Sequence, residues 1–472
     1  MTSAGALATL ARARVAGASR DDGGSDATTS RFQSRPDLTP PLLSVDHRSP
    51  GGANGYVLVA PFTGQDHGTA LIADDSGEPV WIYQSPKLVM NFRSQTLFGK
   101  PVLTWWEGAV VDGFFAGECV VADESYGVVK RLSAGNGLQP EVHEFLITAR
   151  NTALISFNNL VPADLSPYGG PSSGTVIEGV VQEIEIATGK VLFEWHSLDH
   201  VGLDETSFPA SGKWDYFHLN SIEVDEDDNL LVSGRYPSTI YKVDRQSGEV
   251  IWRLGGTKSD FRFEPAATFW FQHDARARGG GLVSLFDDGA DAVNNAPEAV
   301  SRAIVLSLDV TAKTAALVQS FPNPNGSLTV AMGSAQHVHT GGYFVGWGTV
   351  PQVSEFGADG SLVFNATFPG GQSSYRAFRA QWAGRAAGRP AVAARHSANG
   401  SLDVYASWNG ASRVSHWQVV GGEVATELER LNVVPRAGFE TRIRLAHRPR
   451  HVAAVALGAT GEVLGTSPVI ST

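Results

Sequence analysis

The chain has 472 residues, of which 42% are hydrophobic and only 18% charged, and its formal net charge is −12. That balance repels a phosphate backbone and argues against nucleic acid as a partner, while the single cysteine, Cys119, excludes an intrachain disulfide and a multi-cysteine zinc site. No apolar run approaches the roughly 18 residues of a membrane span, and 52 glycines beside 11 tryptophans and 23 phenylalanines favour many short strands joined by tight turns.

Residues 1–20 are Ala-rich and carry Arg12, Arg14 and Arg20. Three readings stay open for them: a signal segment whose apolar core is interrupted by arginine, a transit peptide, or a misassigned gene start. Residues 21–41 are polar and Pro-containing, so 1–41 is expected to be a disordered or targeting segment. Three sequons, at Asn325, Asn365 and Asn399, lean slightly towards secretion, since about two arise by chance in a chain this long.

From residue 42 a unit recurs. Gly77-Glu78-Pro79-Val80-Trp81, Gly189-Lys190-Val191-Leu192-Phe193, Gly248-Glu249-Val250-Ile251-Trp252 and Gly360-Ser361-Leu362-Val363-Phe364 share one pattern, each behind a polar turn. In each the glycine supplies a positive φ at a hairpin and the following strand sets a large side chain against its neighbour. From Gly77 to Gly189, Gly248 and Gly360 the steps are two, one and two periods of about 56. The absent copies fall on degenerate hairpins, Asp123–Val128 and Leu308–Lys313. Six such units predict an all-β chain, a six-bladed β-propeller over 42–389. Residues 390–472, with alternating runs such as Leu402–Trp408, are expected to supply closing strands and a small C-terminal β-module.

Candidate chemistry gathers on this frame. His218 and Asn220 stand two apart, which on a strand places them on one face. Arg235 ends the next strand. Phe271-Gln272-His273-Asp274-Ala275-Arg276 occupies the same place in the following unit, with His273 one period after His218. Two histidines in register on adjacent units point at one axis. His337, a little more than one period after His273, is nearly in register as well; His143 opens an earlier unit, and Arg302 lies in the unit of His273. Histidines with arginines and an asparagine suit an oxyanion held while charge shifts, because Arg donates bidentately and neutral imidazole acts as nucleophile or general acid/base. Three histidines equally suit a transition metal, with Asp215 and Asp274 as candidate carboxylates.

Asp215-Tyr216-Phe217-His218-Leu219-Asn220-Ser221-Ile222, Gly248–Gly256, Phe271–Arg276, Phe286-Asp287-Asp288-Gly289, Val345-Gly346-Trp347-Gly348 and Ala437-Gly438-Phe439-Glu440-Thr441 together resemble the arylsulfotransferase (ASST-like) family. The resemblance implies a six-bladed propeller that moves a sulfuryl group from an aryl sulfate to a phenol through a central histidine, with no nucleotide donor and no cofactor or metal. It implies catalytic roles for His218, His273 and His337, the last as nucleophile. It implies substrate-binding roles for Asn220, Arg235, Asp274, Arg276 and Arg302, with Arg302 neutralising charge. Trp105, Trp106 and Tyr216 are candidates to stack on an aryl ring. The resemblance further implies an exported or extracellular protein. One segment departs from the family: after Gln336, where Arg-Leu-Pro-Asn-Gly-Asn is usual, the chain reads His337-Val338-His339-Thr340-Gly341-Gly342. That departure supports the alternative of a non-catalytic binding propeller that has lost its nucleophile. A quinone-dependent dehydrogenase, which uses an adjacent cysteine pair, ranks last because there is one cysteine.

Overall fold

Runs of alternating or wholly apolar residues, punctuated by glycine and aspartate turns, form strands almost throughout. The computed structural model describes residues 28–64, 67–291, 295–397 and 400–472. Among these the helical pieces are single turns, such as Ser197–His200 and Leu203–Glu205.

Six antiparallel sheets of four strands follow one another along the chain, some with an added strand at an edge. The second consists of Leu88–Leu97, Lys100–Val111, Phe114–Ala122 and Val128–Leu132; the third of Pro140–Ile147, Thr152–Ala163, Gly174–Glu185 and Val191–His196. The fourth runs Leu219–Val224, Leu230–Gly234, Thr239–Val243 and Val250–Gly255, and the fifth His273–Gly279, Leu282–Asp287, Arg302–Asp309 and Thr314–Pro322. The sixth runs Ser334–His337, Tyr343–Gly346, Gln352–Phe356 and Leu362–Thr367, with Ser44–Arg48 added at its edge. The first is assembled from both ends of this stretch: Ser373–Ala380 pairs with Tyr56–Phe62, which continues into Gly68–Ala73 and Pro79–Ser85. The leading strands of successive sheets lie side by side, and Ser373–Ala380 lies against Leu88–Leu97.

Every turn between a third and a fourth strand is one of the hairpins read from the sequence. Gly77, Gly189, Gly248 and Gly360 take φ of 84°, 79°, 81° and 83° there. The two degenerate copies place Tyr126 (φ 65°) and Lys313 (φ 53°) in the same left-handed conformation, at the backbone cost a side chain incurs there. On the fourth strands Trp81, Trp252 and Phe364 are buried between sheets, each contributing about 1.5–3 kcal/mol by leaving water.

Residues 391–472 form two further sheets around their own core of Leu402, Val404, Trp417, Ile443 and Ala454. They dock on the first sheet: the Asn409 side chain accepts from the amide of Ile82 and donates to its carbonyl, both at 2.8 Å. The expectation of a disordered linker fails for Thr28–Pro41. Phe32 and Leu38 are buried, Phe32 packs on Phe439 at 4.3 Å between centroids, and the Ser34 amide donates to Glu440 at 2.6 Å. Burying two large apolar side chains there supplies the stabilisation that composition alone did not reveal. The remainder of the expected segment, 1–27, lies outside the described residues. Asn365 of the second sequon is buried and bonded to Gln352 and Ser354, so it offers no glycan site; Asn399 lies outside the described residues.

Candidate active site

Three buried imidazoles meet where the leading strands begin. His143 and His218 stand 4.8 Å apart between ring centroids, and Tyr375 lies 5.4 Å from His143 and 6.4 Å from His273. A carboxylate faces Nδ1 of each imidazole, hydrogen-bonded at His218 and His273 and in close contact without a hydrogen bond at His143. Asp215 Oδ2 lies 2.6 Å from His218 Nδ1, Asp288 Oδ2 lies 2.6 Å from His273 Nδ1, and Glu141 Oε1 lies against His143 Nδ1. Short local turns make these pairings. Asp215 Oδ1 also accepts the His218 amide at 3.0 Å, which fixes His218 in the left-handed conformation (φ 53°), and Glu141 Oε2 accepts the His143 amide at 3.0 Å. Non-glycine residues persist in that conformation only where their surroundings over-determine it, and such sites are often functional.

The partners of His273 assign its tautomer. The Met332 amide donates to Nε2 at 3.3 Å, so Nε2 carries a lone pair and the proton sits on Nδ1, facing the Asp288 carboxylate. Burial holds the His273 pKa well below the usual imidazole range, and the cation of Arg235 adds to this. Burial also lowers the pKa of His218. Asp288 is pushed up by burial, while Arg235 favours its ionised form. Arg235 itself is 3% exposed. Its guanidinium sits 5.1 Å from the Tyr236 ring centre and 5.6 Å from that of Phe271, and donates to the Val330 carbonyl at 2.6 Å. Its Nε, the Asn220 Oδ1 and the Asp288 Oδ1 are buried with no hydrogen-bond partner. Buried polar atoms are normally paired, so orphaned atoms among these imidazoles mark a place for a polar group; the Arg235 Nε–H is the donor among them that an anion can use, while Asn220 Oδ1 and Asp288 Oδ1 call for a donor.

Next along the same strands lies a floor of ion pairs. Glu144, fully buried, accepts from Arg93 at 3.0 Å, Arg276 at 2.7 Å and Arg376 at 3.0 Å. Asp274 accepts from Arg276 at 2.7 Å and from the Ala335 amide at 2.9 Å. Burial works against the Glu144 carboxylate, but three guanidiniums outweigh it and hold its pKa far below the ordinary range. This floor joins strands from four sheets and fixes their register around the imidazoles. Among the described residues no three His, Cys, Asp or Glu side chains come together in a way that would hold a metal ion.

A family model described as arylsulfotransferase (ASST) matches residues 93–369, more than half of the chain. The chain belongs to the arylsulfotransferase family. No curated protein matches it. Among solved structures it is similar to a protein of unknown function from Bacteroides caccae, at 13% identity over 69% of this chain and 99% of that one, with a TM-score of 0.41. It is also similar to a streptogramin B lyase, at 11% identity over 77% of this chain and 93% of that one, TM-score 0.36. A catalytically inactive virginiamycin B lyase from Staphylococcus aureus, solved with quinupristin, gives 11%, 75% and 96%, TM-score 0.33.

In this arylsulfotransferase-family chain the structure brings together His218, His273, Arg235 and Asn220 of the residues read from the sequence. Asp274 and Arg276 stand one step away in the ion-pair floor, engaged with each other and with Glu144. His337 does not join the imidazoles. It is exposed at the far end of Ser334–His337, with its ring 5.3 Å from Tyr343. The residue facing His273 from that sheet is Met332, five positions earlier. Arg302 does not reach the imidazoles either. Asp287 at 3.0 Å and the carbonyls of Thr268 and Ala266 engage its donors, and Arg235 is the cation beside the imidazoles. Trp105, Trp106 and Tyr216 are core residues, not a stacking surface at a mouth. Sequence reasoning named His143 without a role and offered Asp215 only as a metal carboxylate; it left out Tyr375, and Glu141 and Asp288 as imidazole partners. The signal for Glu141 and Asp215 was local, an acidic residue two or three positions before a histidine.

Proposed function

We propose that the six sheets are the blades of a six-bladed propeller spanning residues 42–389, with 390–472 as an appended β-module. On this reading the chain is an aryl-sulfate sulfotransferase that needs no nucleotide donor or other cofactor, and His273 is the nucleophile. The cyclic succession of leading strands supports the first part. The observation that carries the second is the buried His273 Nε2, unprotonated and backed through Nδ1 by Asp288. Nε2 gives up the Met332 amide as the sulfate enters, and its freed lone pair attacks sulfur as the S–O bond to the aryl group breaks. Arg235, with its free Nε–H, holds the sulfuryl oxygens, and Asp288 stabilises the positive charge that the ring acquires. His218 takes up a proton from solvent as the sulfate anion binds and, with Asp215 at its Nδ1, gives its Nε2 proton to the departing phenoxide. The acceptor phenol returns that proton to His218 as its oxygen attacks sulfur and the N–S bond breaks, which restores both histidines.

The departure after Gln336 lends no support to a lost nucleophile, because Val338–Gly342 is a hairpin turn at the far end of its strand: the Val338 amide donates to the Gly342 carbonyl at 3.0 Å. The compartment follows the family resemblance, and we propose export. The test is incubation with 4-nitrophenyl sulfate with and without phenol. Acceptor-dependent nitrophenolate release, lost in His273→Ala and kept in His337→Ala, is expected. Release without an acceptor would indicate a sulfatase, and full activity of His273→Ala would end the assignment.

A further inference from the structure

A cavity of about 580 Å³ opens on the side of the ion-pair floor away from the imidazoles. Its walls come from the leading strands of all six sheets, at positions beyond those nearest the imidazoles, Arg93, Leu146, Glu223, Arg278, Gln336 and Phe378 among them. The offset of three to five residues from the imidazole-bearing positions sets it about 10–17 Å away, at roughly 3.3 Å per residue. Nothing in the proposed sulfuryl transfer uses it.

The charge on its walls is unbalanced. Arg93, Arg276 and Arg278 line it with Asp274 and Glu223, three guanidiniums against two carboxylates, and behind the lining Glu144 and Arg376 add one charge of each sign. The unpaired one is Arg278. It donates to Ser284 Oγ at 2.7 Å and to the Ala335 carbonyl at 3.1 Å, and no carboxylate among the described residues lies within ion-pair distance. Burial lowers its pKa, as expected of a cation without a counter-ion. Arg93 Nε is buried and unpartnered in the same wall. Leu146, Ile147 and Phe378 supply an apolar side, and Phe378 lies 5.6 Å below the Arg93 guanidinium. A cavity of this size with convergent donors and an apolar wall has the make-up of a small-molecule site, and guanidiniums select carboxylates and sulfonates.

We infer that this cavity binds an organic monoanion, a carboxylate or sulfonate on an apolar body, with Arg278 as its counter-ion. The inference is independent of the reaction proposed for the imidazoles. The probe is benzoate, titrated calorimetrically into the full chain, with benzyl alcohol as the uncharged control. Saturable benzoate binding is expected, with none for the alcohol. Arg278→Met should weaken it at least about tenfold, the loss of one charge-assisted contact. Arg278→Lys should retain part of it. Glu223→Gln, which removes a competing carboxylate, should tighten it, a gain that misfolding cannot mimic. Arg235→Met, beside the imidazoles, should leave it unchanged. No saturable binding, or binding lost in Arg235→Met and kept in Arg278→Met, would overturn the inference, as would weaker binding by Glu223→Gln.

Discussion

Replacing Asp288 by Asn tests the chemistry at its most exact point, because shape is kept and charge removed. Asp288 Oδ2 accepts from His273 Nδ1 at 2.6 Å, and its other oxygen is buried without a partner. An Asn amide has two poor options here. With its carbonyl to Nδ1–H, its NH2 takes the place of an oxygen that has no partner, and a buried donor left unsatisfied costs about 1–3 kcal/mol. With its NH2 to Nδ1, the ring must carry its proton on Nε2, where it meets the Met332 amide and leaves no lone pair for sulfur. Either way the cation formed on attack loses its counter-charge. Two unit charges about 4 Å apart at an effective dielectric of about 20 interact by about 4 kcal/mol, which corresponds to about a thousandfold in rate. The assay is single-turnover nitrophenolate release from 4-nitrophenyl sulfate, with thermal unfolding as the control for folding. The expected result is a kcat reduced by two to four orders of magnitude, roughly, with KM little changed, since Arg235 still binds the sulfate. A variant that keeps more than about a tenth of the wild-type kcat would refute the role of Asp288 and with it the tautomer argument.

Four further outcomes follow from the same geometry. His218→Ala should slow aryl sulfates with poor leaving groups far more than 4-nitrophenyl sulfate, by about 10²–10⁴ for an unactivated phenol; an equal loss for both would show that His218 is not the acid. Burial lowers the folded-state pKa of His218, so below the unfolded value of about 6.5 the unfolded chain binds the proton more readily and stability is lost as pH falls. The slope from this residue is up to about 1.4 kcal/mol per pH unit, and urea midpoints between about pH 7.5 and 5 should flatten in His218→Asn. Glu144→Gln leaves three guanidiniums around a neutral amide and should cost about 3–5 kcal/mol in chemical denaturation. His337→Ala, at an exposed strand end, should change stability by less than about 0.5 kcal/mol and leave turnover intact.

The hairpins were legible because a turn is local. A glycine followed by an aliphatic residue and an aromatic one is read over five positions, and the two copies that lost their glycine were placed by spacing alone. The imidazoles were legible only as far as spacing holds. His218 and His273 stand one period apart because the fourth sheet is joined by short turns. His143 precedes His218 by well over a period, since the third sheet carries two long strands, Thr152–Ala163 and Gly174–Glu185, and is followed by the segment 197–213. One period counted back from His218 therefore falls near Leu160, short of His143.

The same tolerance misassigned the sixth sheet. The step from His273 to His337 was close enough to a period to nominate His337, but a strand advances about 3.3 Å per residue, so an error of five positions is an error of roughly 16 Å along the axis. The position in register with His273 is Met332, and it contributes through its backbone amide, which no side-chain pattern can announce. Period thus identifies which sheet lies beside the imidazoles, while the turn before each leading strand decides which group reaches them. That is why the segment in which this chain departs from its family, beyond the end of Ser334–His337, leaves the imidazoles and their carboxylates untouched.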